Sequence, residues 1–466
     1  MVKLIVSKMQ CTRIISSRYI CTQFSAKPKA LLDDAISISF VNNEIKYRHH
    51  PGIIKPRTST FPVWASKEIQ IILKEKNINL KEINESAKRL CRYLTQRYPP
   101  VEQSELLTKL QKVEKRLNAN NHDEKISVKD IDFNRNIKAR NILKKLVYHW
   151  QPINFDKLTC LTYLVAKSVQ NYAVSHRILN EIKIRDKDFR PETFFDFGSG
   201  IGTNTWAASE IWSDSLKEYF CVETSEFMIE LSERLAEVAK PKIKDIFYRQ
   251  FFPASMNPTY DIVISAYSLF ELPSQQFRLE TILKLWKKTE KYLIIVEEGT
   301  KAGFTLVNEA RDFILKYANS KNRKESQFVH VFSPCPHDLK CPQLIDNTSC
   351  NFSVLYHPLQ FLDSKEHKSQ LYSYVVLKKD KRPENDEQWP KIVRPVLKRS
   401  NHVICRMCLA NGELKEEIFT KYKHGKHMYR CARSSEWGDR LPLNYEQQQE
   451  SPEEDDISNE MTTTIK

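Results

Sequence analysis

The chain is poor in glycine, with nine among 466 residues. No uninterrupted apolar stretch approaches the ~18 residues that a membrane-spanning helix needs, which excludes an integral membrane protein of that kind. No carboxylate appears before Asp33, and no internal repeat is evident. Disulfide patterning is lacking too. Eleven cysteines scattered through a chain of this length do not make the framework of a small secreted domain. What is present is a globular balance, 41% apolar and 28% charged, long enough for about two to four domains. Lysine plus arginine number 73 against 58 acids, a net charge of +15. That surplus favours a polyanionic partner, nucleic acid before a membrane surface.

The two ends differ in charge. Residues 1–30 carry six bases (Lys3, Lys8, Arg13, Arg18, Lys27 and Lys29) with interspersed serines and the apolar Ile14, Ile15, Tyr19, Ile20 and Phe24. An amphipathic, basic, acid-free start predicts a mitochondrial targeting peptide and residence in the matrix; the competing reading is a basic arm that stays on the protein. Residues 444–466 hold seven acids, one lysine and three consecutive glutamines, and predict a disordered acidic tail. The ends cancel, so residues 31–443 carry the whole surplus of +15.

Between them, helical spacing of apolar residues predicts helices over 67–98, 101–119 and 137–183, within a helical N-terminal region of residues 31–190. After Pro191 short apolar runs alternate with helical stretches. Phe194–Phe197, Tyr219–Val222, Ile246–Phe251, Asp261–Ser265 and Tyr292–Val296 read as strands, with helices near 202–212, 226–239, 276–288 and 304–318. This alternation builds a parallel sheet covered by helices, an α/β fold over 191–385, and Phe352–Tyr356 with Tyr372–Leu377 reads as a closing hairpin. Residues 391–443 are basic and rich in turns, and predict a small β-rich domain, a meander or a barrel.

Three of the nine glycines fall within five residues, in Asp196-Phe197-Gly198-Ser199-Gly200-Ile201-Gly202. A strand running into glycines and then a helix lets backbone N–H groups approach a ligand closely. Glu223 follows Gly202 by 21 residues, at the end of the next strand, where a carboxylate can hold both hydroxyls of a ribose. The nicotinamide fingerprint lacks its third glycine, since Thr203 stands there. The text D-x-G-x-G-x-G instead resembles motif I of class I S-adenosylmethionine methyltransferases, whose Rossmann-like sheet this alternation would form. Asp196, Gly198, Ser199, Gly200, Gly202 and Glu223 are the candidate cofactor residues. A tight βα turn that binds nothing is the plain alternative. Ser265–Leu272, after the fourth strand, carries no Asn-Pro-Pro-Tyr motif and no nucleophilic cysteine. Tyr267 and Glu271 there read as packing residues before pocket residues, and whether the chain is an enzyme stays open.

Six cysteines crowd the last third: Cys335, Cys341, Cys350, Cys405, Cys408 and Cys431. Their polar and proline-rich flanks speak against buried core thiols. Only Cys405 and Cys408 have the close spacing usual for zinc, while Cys335, Cys341 and Cys350 are spaced for a larger inorganic cluster in one wrapped loop. Three of these plus one of the distant pair would complete a four-thiolate [4Fe–4S] site. His337 and His402 are zinc ligands under the rival reading, and spacing alone does not separate the two metals.

These motifs together resemble the mitochondrial methyltransferase-like assembly factors of the small ribosomal subunit. The likeness is carried by Asp196–Gly202, by Cys335-Pro-His-x₃-Cys341-Pro with Cys350, by His402-Val403-x-Cys405-x₂-Cys408, and by Tyr429-Arg-Cys-Ala-Arg433 with Trp437-Gly-Asp439. It covers roughly residues 140–442, with Tyr172-Ala173 in the helix before the first strand. The resemblance implies binding to small-subunit mitochondrial rRNA during assembly, beside ribosomal proteins, by a monomer when off the ribosome. It implies a [4Fe–4S] cluster on Cys335, Cys341, Cys350 and Cys408, and an S-adenosylmethionine-type pocket with catalysis left open. Lys415, Lys421, Lys423, Lys426, Arg430 and Arg433 would track phosphates, and Tyr422, Tyr429 and Trp437 would stack on bases. Two other functions remain: an active rRNA methyltransferase, and a zinc-stabilised RNA-binding protein with a vestigial pocket.

Overall fold

A computed structural model of the chain describes residues 29–119, 138–139, 141–143, 148, 150–319, 328–363 and 366–445. The targeting peptide read over 1–30 and the acidic tail read over 444–466 lie almost wholly outside the described residues.

In chain order the elements begin with β1 (Ala30–Leu32), α1 (Asp34–Val41), β2 (Thr58–Ser59), α2 (Val63–Glu75), α3 (Leu80–Thr95) and α4 (Gln103–Ala119). The single helix expected over 67–98 is two. Asn77 takes a left-handed φ of 52°, and the Asn79 side chain caps α3 by accepting from the Lys81 and Glu82 amides. Both asparagines favour these non-helical roles. Helix α5 (Lys157–Arg185) is capped by Asp156, whose carboxylate accepts from the Thr159 amide at 2.8 Å. At about 1.5 Å per residue its 29 residues reach about 43 Å, across a whole face of the sheet. The expected helix over 137–183 is therefore interrupted: residues 138–139 and 141–143 are helical, residues 150–156 are not, and α5 follows.

The central sheet contains β3 (Thr193–Phe197), β4 (Glu218–Val222), β5 (Ile246–Arg249), β6 (Tyr260–Ala266) and β7 (Thr289–Glu298), then β8 (His330–Ser333), β9 (Phe352–Tyr356) and β10 (Lys368–Lys378). Its order is β2-β9-β10-β7-β6-β3-β4-β5, with β8 also on β10. Strands β5, β4, β3, β6 and β7 are parallel, and β10 runs antiparallel to β7. This order, with one antiparallel strand beyond β7, is the class I methyltransferase arrangement expected from the sequence. Alternation along the strands divides the interior. Phe194, Ile262, Ile264, Tyr292 and Ile294 face α2, α3, α5, α6 (Thr203–Ile211) and α7 (Glu226–Glu237). Phe195, Val263, Leu293 and Ile295 face α8 (Gln275–Lys288) and α9 (Lys301–Ala318). Buried on both faces, these strands read as nearly continuous apolar runs, which is why they were legible.

The outer edge of β10 is shared. Its C-terminal end pairs with β8 and its N-terminal end with β9. Residues 334–351, with the short helix α10 (Pro342–Ile345), bulge out between the two and carry Cys335, Cys341 and Cys350.

The remaining strands are β11 (Lys391–Ile392), β12 (Leu397–Lys398), β13 (His402–Cys408) and β14 (Leu414–Thr420), an antiparallel sheet centred on β13. The expected meander omits α11 (Lys421–Ser434), a helix kinked at Gly425, whose buried face (Met428, Tyr429, Cys431, Ala432) completes a third core. Sequence spacing hid it because Gly425 and the dense lysines break its apolar stripe. Strand β15 (Leu443–Tyr445) pairs with β1, and Ala30 and Phe40 enter this same core. The start of the described chain is thus built into the C-terminal sheet.

Candidate cofactor cavity and cysteine site

Strand β3 delivers Asp196 to the base of the glycine loop. The Gly198 and Ser199 amides both donate to Val222 O, at 2.8 and 3.1 Å, so the loop folds over the end of β4. Gly198 has a φ of +72°, and a Cβ there would lie 2.1 Å from Ser268 Oγ. No other residue satisfies both demands. Glu223 closes the loop from the other side: its Oε2 accepts from the Gly200 amide at 2.9 Å and its Oε1 from the Ser225 amide at 3.0 Å. Gly202 stands at the N-terminus of α6.

A cavity of about 290 Å³ opens beside Gly198, Gly200 and Glu223. It is lined by apolar Phe155, Val222, Met228 and Leu272 and by polar Tyr163, Lys167, Tyr267 and Glu298. Two buried polar atoms of its lining lack a partner, Tyr267 OH and Glu297 Oε2, as do Asp196 Oδ2 and Ser199 Oγ of the adjoining glycine loop. Unsatisfied groups gathered around one cavity fit a polar ligand, because each is costly when buried alone. An apolar wall, an acid at the ribose position and a glycine loop fit a nucleoside joined to an amino acid. Of the six sequence-predicted residues, Gly198, Gly200 and Glu223 line the cavity, while Asp196, Ser199 and Gly202 belong to the same loop but not to its lining.

Asp196 is fully buried, and Asn204 donates to its Oδ1 at 3.0 Å. Burial, with some repulsion from Glu223, pushes its carboxyl up to about 7 from an ordinary 3.8. A raised carboxyl favours the folded state while it is protonated, and this advantage is lost as pH rises through about 7. Asp196→Asn therefore stabilises the unliganded protein by on the order of 4 kcal/mol at pH 8 and by less than half of that at pH 5, because the cost builds up from the ordinary 3.8 to about 7. Thermal unfolding at the two pH values checks this; equal shifts at both would contradict it.

Across the carboxyl ends of the strands lies a strap, residues 150–156. Trp150 Nε1 donates to Phe270 O at 2.7 Å, and the Ile153 amide donates to Glu271 Oε2 at 3.1 Å. At its far end Phe155 O accepts from Ser225 Oγ at 3.0 Å. Arg97 at the end of α3, itself buried, pairs with Glu271 and donates to Gln151 O. Glu271 is thus an anchor of the strap that also lines the cavity, and not a residue that packs the following helix. Tyr267 departs from the packing reading too: it has a φ of +60° and its ring lines the cavity, with Lys167 Nζ 5.6 Å from the centroid. Nothing in the sequence spacing announced Arg97, Lys167 or the strap.

The cysteine loop is fixed by side chains from several elements. Arg311 of α9 donates to His337 O and Leu339 O, at 3.2 and 2.7 Å. Gln388 donates to Pro336 O, Arg394 to Ser349 O, and Ser373 to Cys350 O. Cys335, Cys341 and Cys350 line one small cavity with Arg311. Cys408, at the end of β13, joins them: its Sγ is 3.2 Å from His337 Nε2. Burial pushes the Cys341 thiol up to about 11, and proximity to Cys335 adds to this. Burial also raises Cys350 and Cys408, each with contributions from Cys335 and Cys341, so the four sulfurs share one neighbourhood. Burial lowers His337 to about 4, so it is a neutral imidazole. Among the described residues no three His, Cys, Asp or Glu side chains are gathered tightly enough to hold a single metal ion.

Cys405 lies elsewhere. Three residues apart on a strand, Cys405 and Cys408 point to opposite faces. Cys405 packs in the third core with Met407, Phe419 and Cys431. The close pair of the zinc reading is therefore not one ligand pair, and its His402 lies at the opposite end of β13 from Cys408. Arg311 is the residue that spacing could not find, a guanidinium set beside Cys335 and Cys341.

The basic set is also divided. Lys415 and Lys423 pair with Glu417, and Arg433 donates to Arg399 O. Lys421, Lys426 and Arg430 are exposed. Tyr422 is fully exposed, but Tyr429 is 4% exposed and packed in the core, so base stacking by Tyr429 is excluded by its burial. No helix among the described residues is long and apolar enough to cross a membrane.

A family model described as mitochondrial small ribosomal subunit Rsm22 matches residues 157–442. The chain is 39% identical over 401 residues to the human ribosome assembly protein METTL17, mitochondrial, covering 85% of this chain and 86% of that one. It is 30% identical over 349 residues to Rsm22-cox11 tandem protein 2, mitochondrial, of Schizosaccharomyces pombe, covering 63% of this chain and 44% of the tandem protein. Among solved structures, magnesium protoporphyrin IX methyltransferase of Synechocystis aligns at 11% identity and a TM-score of 0.29, over 52% of this chain and 94% of that one.

Proposed function

The chain belongs to the Rsm22 family of mitochondrial small ribosomal subunit proteins, and from that membership we propose that it is an assembly factor of that subunit in mitochondria. The observation that carries this reading is the likeness over residues 157–442, a span that holds the glycine loop, the cysteine loop and Cys408. The factor binds small-subunit rRNA in the matrix, beside ribosomal proteins of the assembling particle, and is a monomer when free.

Its methyltransferase-like unit serves as a scaffold. Asp196, Gly198, Ser199, Gly200, Gly202 and Glu223 would hold S-adenosylmethionine, which when bound supplies an electrophilic methyl group. Glu223 would exchange its bond to the Gly200 amide for the ribose hydroxyls, and Asp196 would offer Oδ2 to the ligand's ammonium group. The strap anchored on Phe270 and Glu271 crosses the edge where a flipped base would have to come in. That closure supports a scaffold over an rRNA methyltransferase.

Cys335, Cys341, Cys350 and Cys408 would hold a [4Fe–4S] cluster that joins the loop between β8 and β9 to β13. Arg311 would offset the negative charge of the four thiolates. The nearness of His337 Nε2 to Cys408 Sγ supports zinc as the second reading, with a cysteine–histidine set.

Crosslinking in intact mitochondria tests the RNA reading. The tagged chain should recover small-subunit rRNA far above large-subunit rRNA. Equal recovery of both, or of neither, counts against it.

A further inference from the structure

We infer that the two ends of the described chain together build one RNA-phosphate-binding surface, formed by Lys46 and Arg48 beside Lys421, Lys426 and Arg430 of α11. This rests on the rRNA-binding reading above and names its surface.

The sequence suggested six cations between Lys415 and Arg433, but half of those are engaged within the chain. The surface is completed from almost four hundred residues away. Tyr47 OH is 3.0 Å from His427 Nδ1, and the Arg430 guanidinium lies 5.4 Å from the centre of the Tyr47 ring. Phe40 stacks on His427 at 6.0 Å. These contacts fix the turn that carries Lys46 and Arg48 against α11.

All five cations are exposed, and none has a carboxylate partner within 4 Å among the described residues. Neighbouring cations of the same unit do: Lys398 pairs with Glu436, and Arg406 with Glu416. The unpaired set is thus segregated from the paired one. The local potential is positive, since Lys55, then burial, Arg48 and Lys46 lower the imidazole of exposed His49.

The chemistry favours backbone contact over base reading. Within α11 the one fully exposed aromatic is Tyr422, and Tyr429 is buried. Cations without a row of stacking rings recognise phosphates whatever the sequence.

The test is binding of the full chain to an RNA hairpin of about 16 base pairs over a range of salt. For Lys426→Ala/Arg430→Ala the slope of log K against log salt should fall in magnitude by about 1.5, with about tenfold weaker binding near physiological salt. Lys46→Ala/Arg48→Ala should do the same. Loss should be equal for hairpins of unrelated sequence, and Lys426→Arg/Arg430→Lys should bind like the unaltered chain. Unchanged slopes in both alanine pairs, with normal binding by the unaltered chain, would overturn this surface and leave the rRNA reading standing. An unaltered chain that binds anionic phospholipid vesicles but neither the hairpin nor the small-subunit rRNA would overturn both.

Discussion

Protein carrying Cys408→Ser should leave an anaerobic purification without iron, whereas Cys405→Ala should retain about four irons per chain and broad absorption near ~400 nm. The two residues differ by three positions on β13, and the pleat sends them to opposite sides. Cys408 Sγ is 3.2 Å from His337 Nε2 and lies within electrostatic reach of the loop's sulfurs. Cys405 is 0% exposed among Met407, Phe419 and Cys431, where alanine leaves only a small gap. Cys341→Ser should match Cys408→Ser, because its sulfur shares the cavity of Cys335 and Cys350. Metal analysis decides between the two proposed metals. Stoichiometric zinc without iron in the unaltered chain would replace the cluster with the cysteine–histidine site, and iron lost with Cys405 but kept without Cys408 would reverse the ligand assignment.

The second large effect is expected at Glu181. Glu181 of α5 is buried with Lys391 of β11, their charged atoms 3.0 Å apart. Arg185 lies at 3.4 Å, and Tyr374 donates to the other carboxylate oxygen at 2.9 Å. A second link joins Arg177 of α5 to Asp439 at 3.4 Å. The C-terminal sheet is therefore tied to the methyltransferase-like unit by buried charge, with or without metal. Glu181→Gln leaves Lys391 buried without its counter-charge and should destabilise the fold by about 3–5 kcal/mol, read from denaturant unfolding. Burial pushes Glu181 up, but Lys391 and Arg185 outweigh it and hold the carboxyl at about 2, below its ordinary 4.5. A lowered carboxyl contributes fully above pH 4.5, and the contribution is lost as pH falls toward 2. The Gln variant should lack that acid-sensitive part. A loss below about 1 kcal/mol would mean that this link does not hold the two units together.

The parts of the fold that could be read from sequence are those whose signal is local. The strands Phe194–Phe197 and Tyr292–Val296 are buried on both faces, and the three glycines mark a turn that needs them. The closing hairpin was legible for the same reason, although β10 extends from Lys368 to Lys378. Long-range pairings were not. Nothing in Lys46 or Arg48 points to α11, and no spacing links Arg311 to a loop whose first cysteine lies 24 residues later. The C-x₂-C spacing, which the rival zinc reading used, falls on a strand: a zinc knuckle turns between its cysteines, and β13 does not. Basic residues in sequence gave the charge of the C-terminal unit, but only Glu417 shows which lysines are already spent. Tyr429 looked free because its neighbours are charged; the kinked helix that buries it was invisible for the same reason.

The most direct test of the central proposal is the sedimentation profile of mitochondrial ribosomes after removal of this chain. Loss of mature small subunits with large subunits maintained, restored by the unaltered chain and not by Cys408→Ser, is the predicted result. Normal amounts of mature small subunit in its absence would contradict the assembly role.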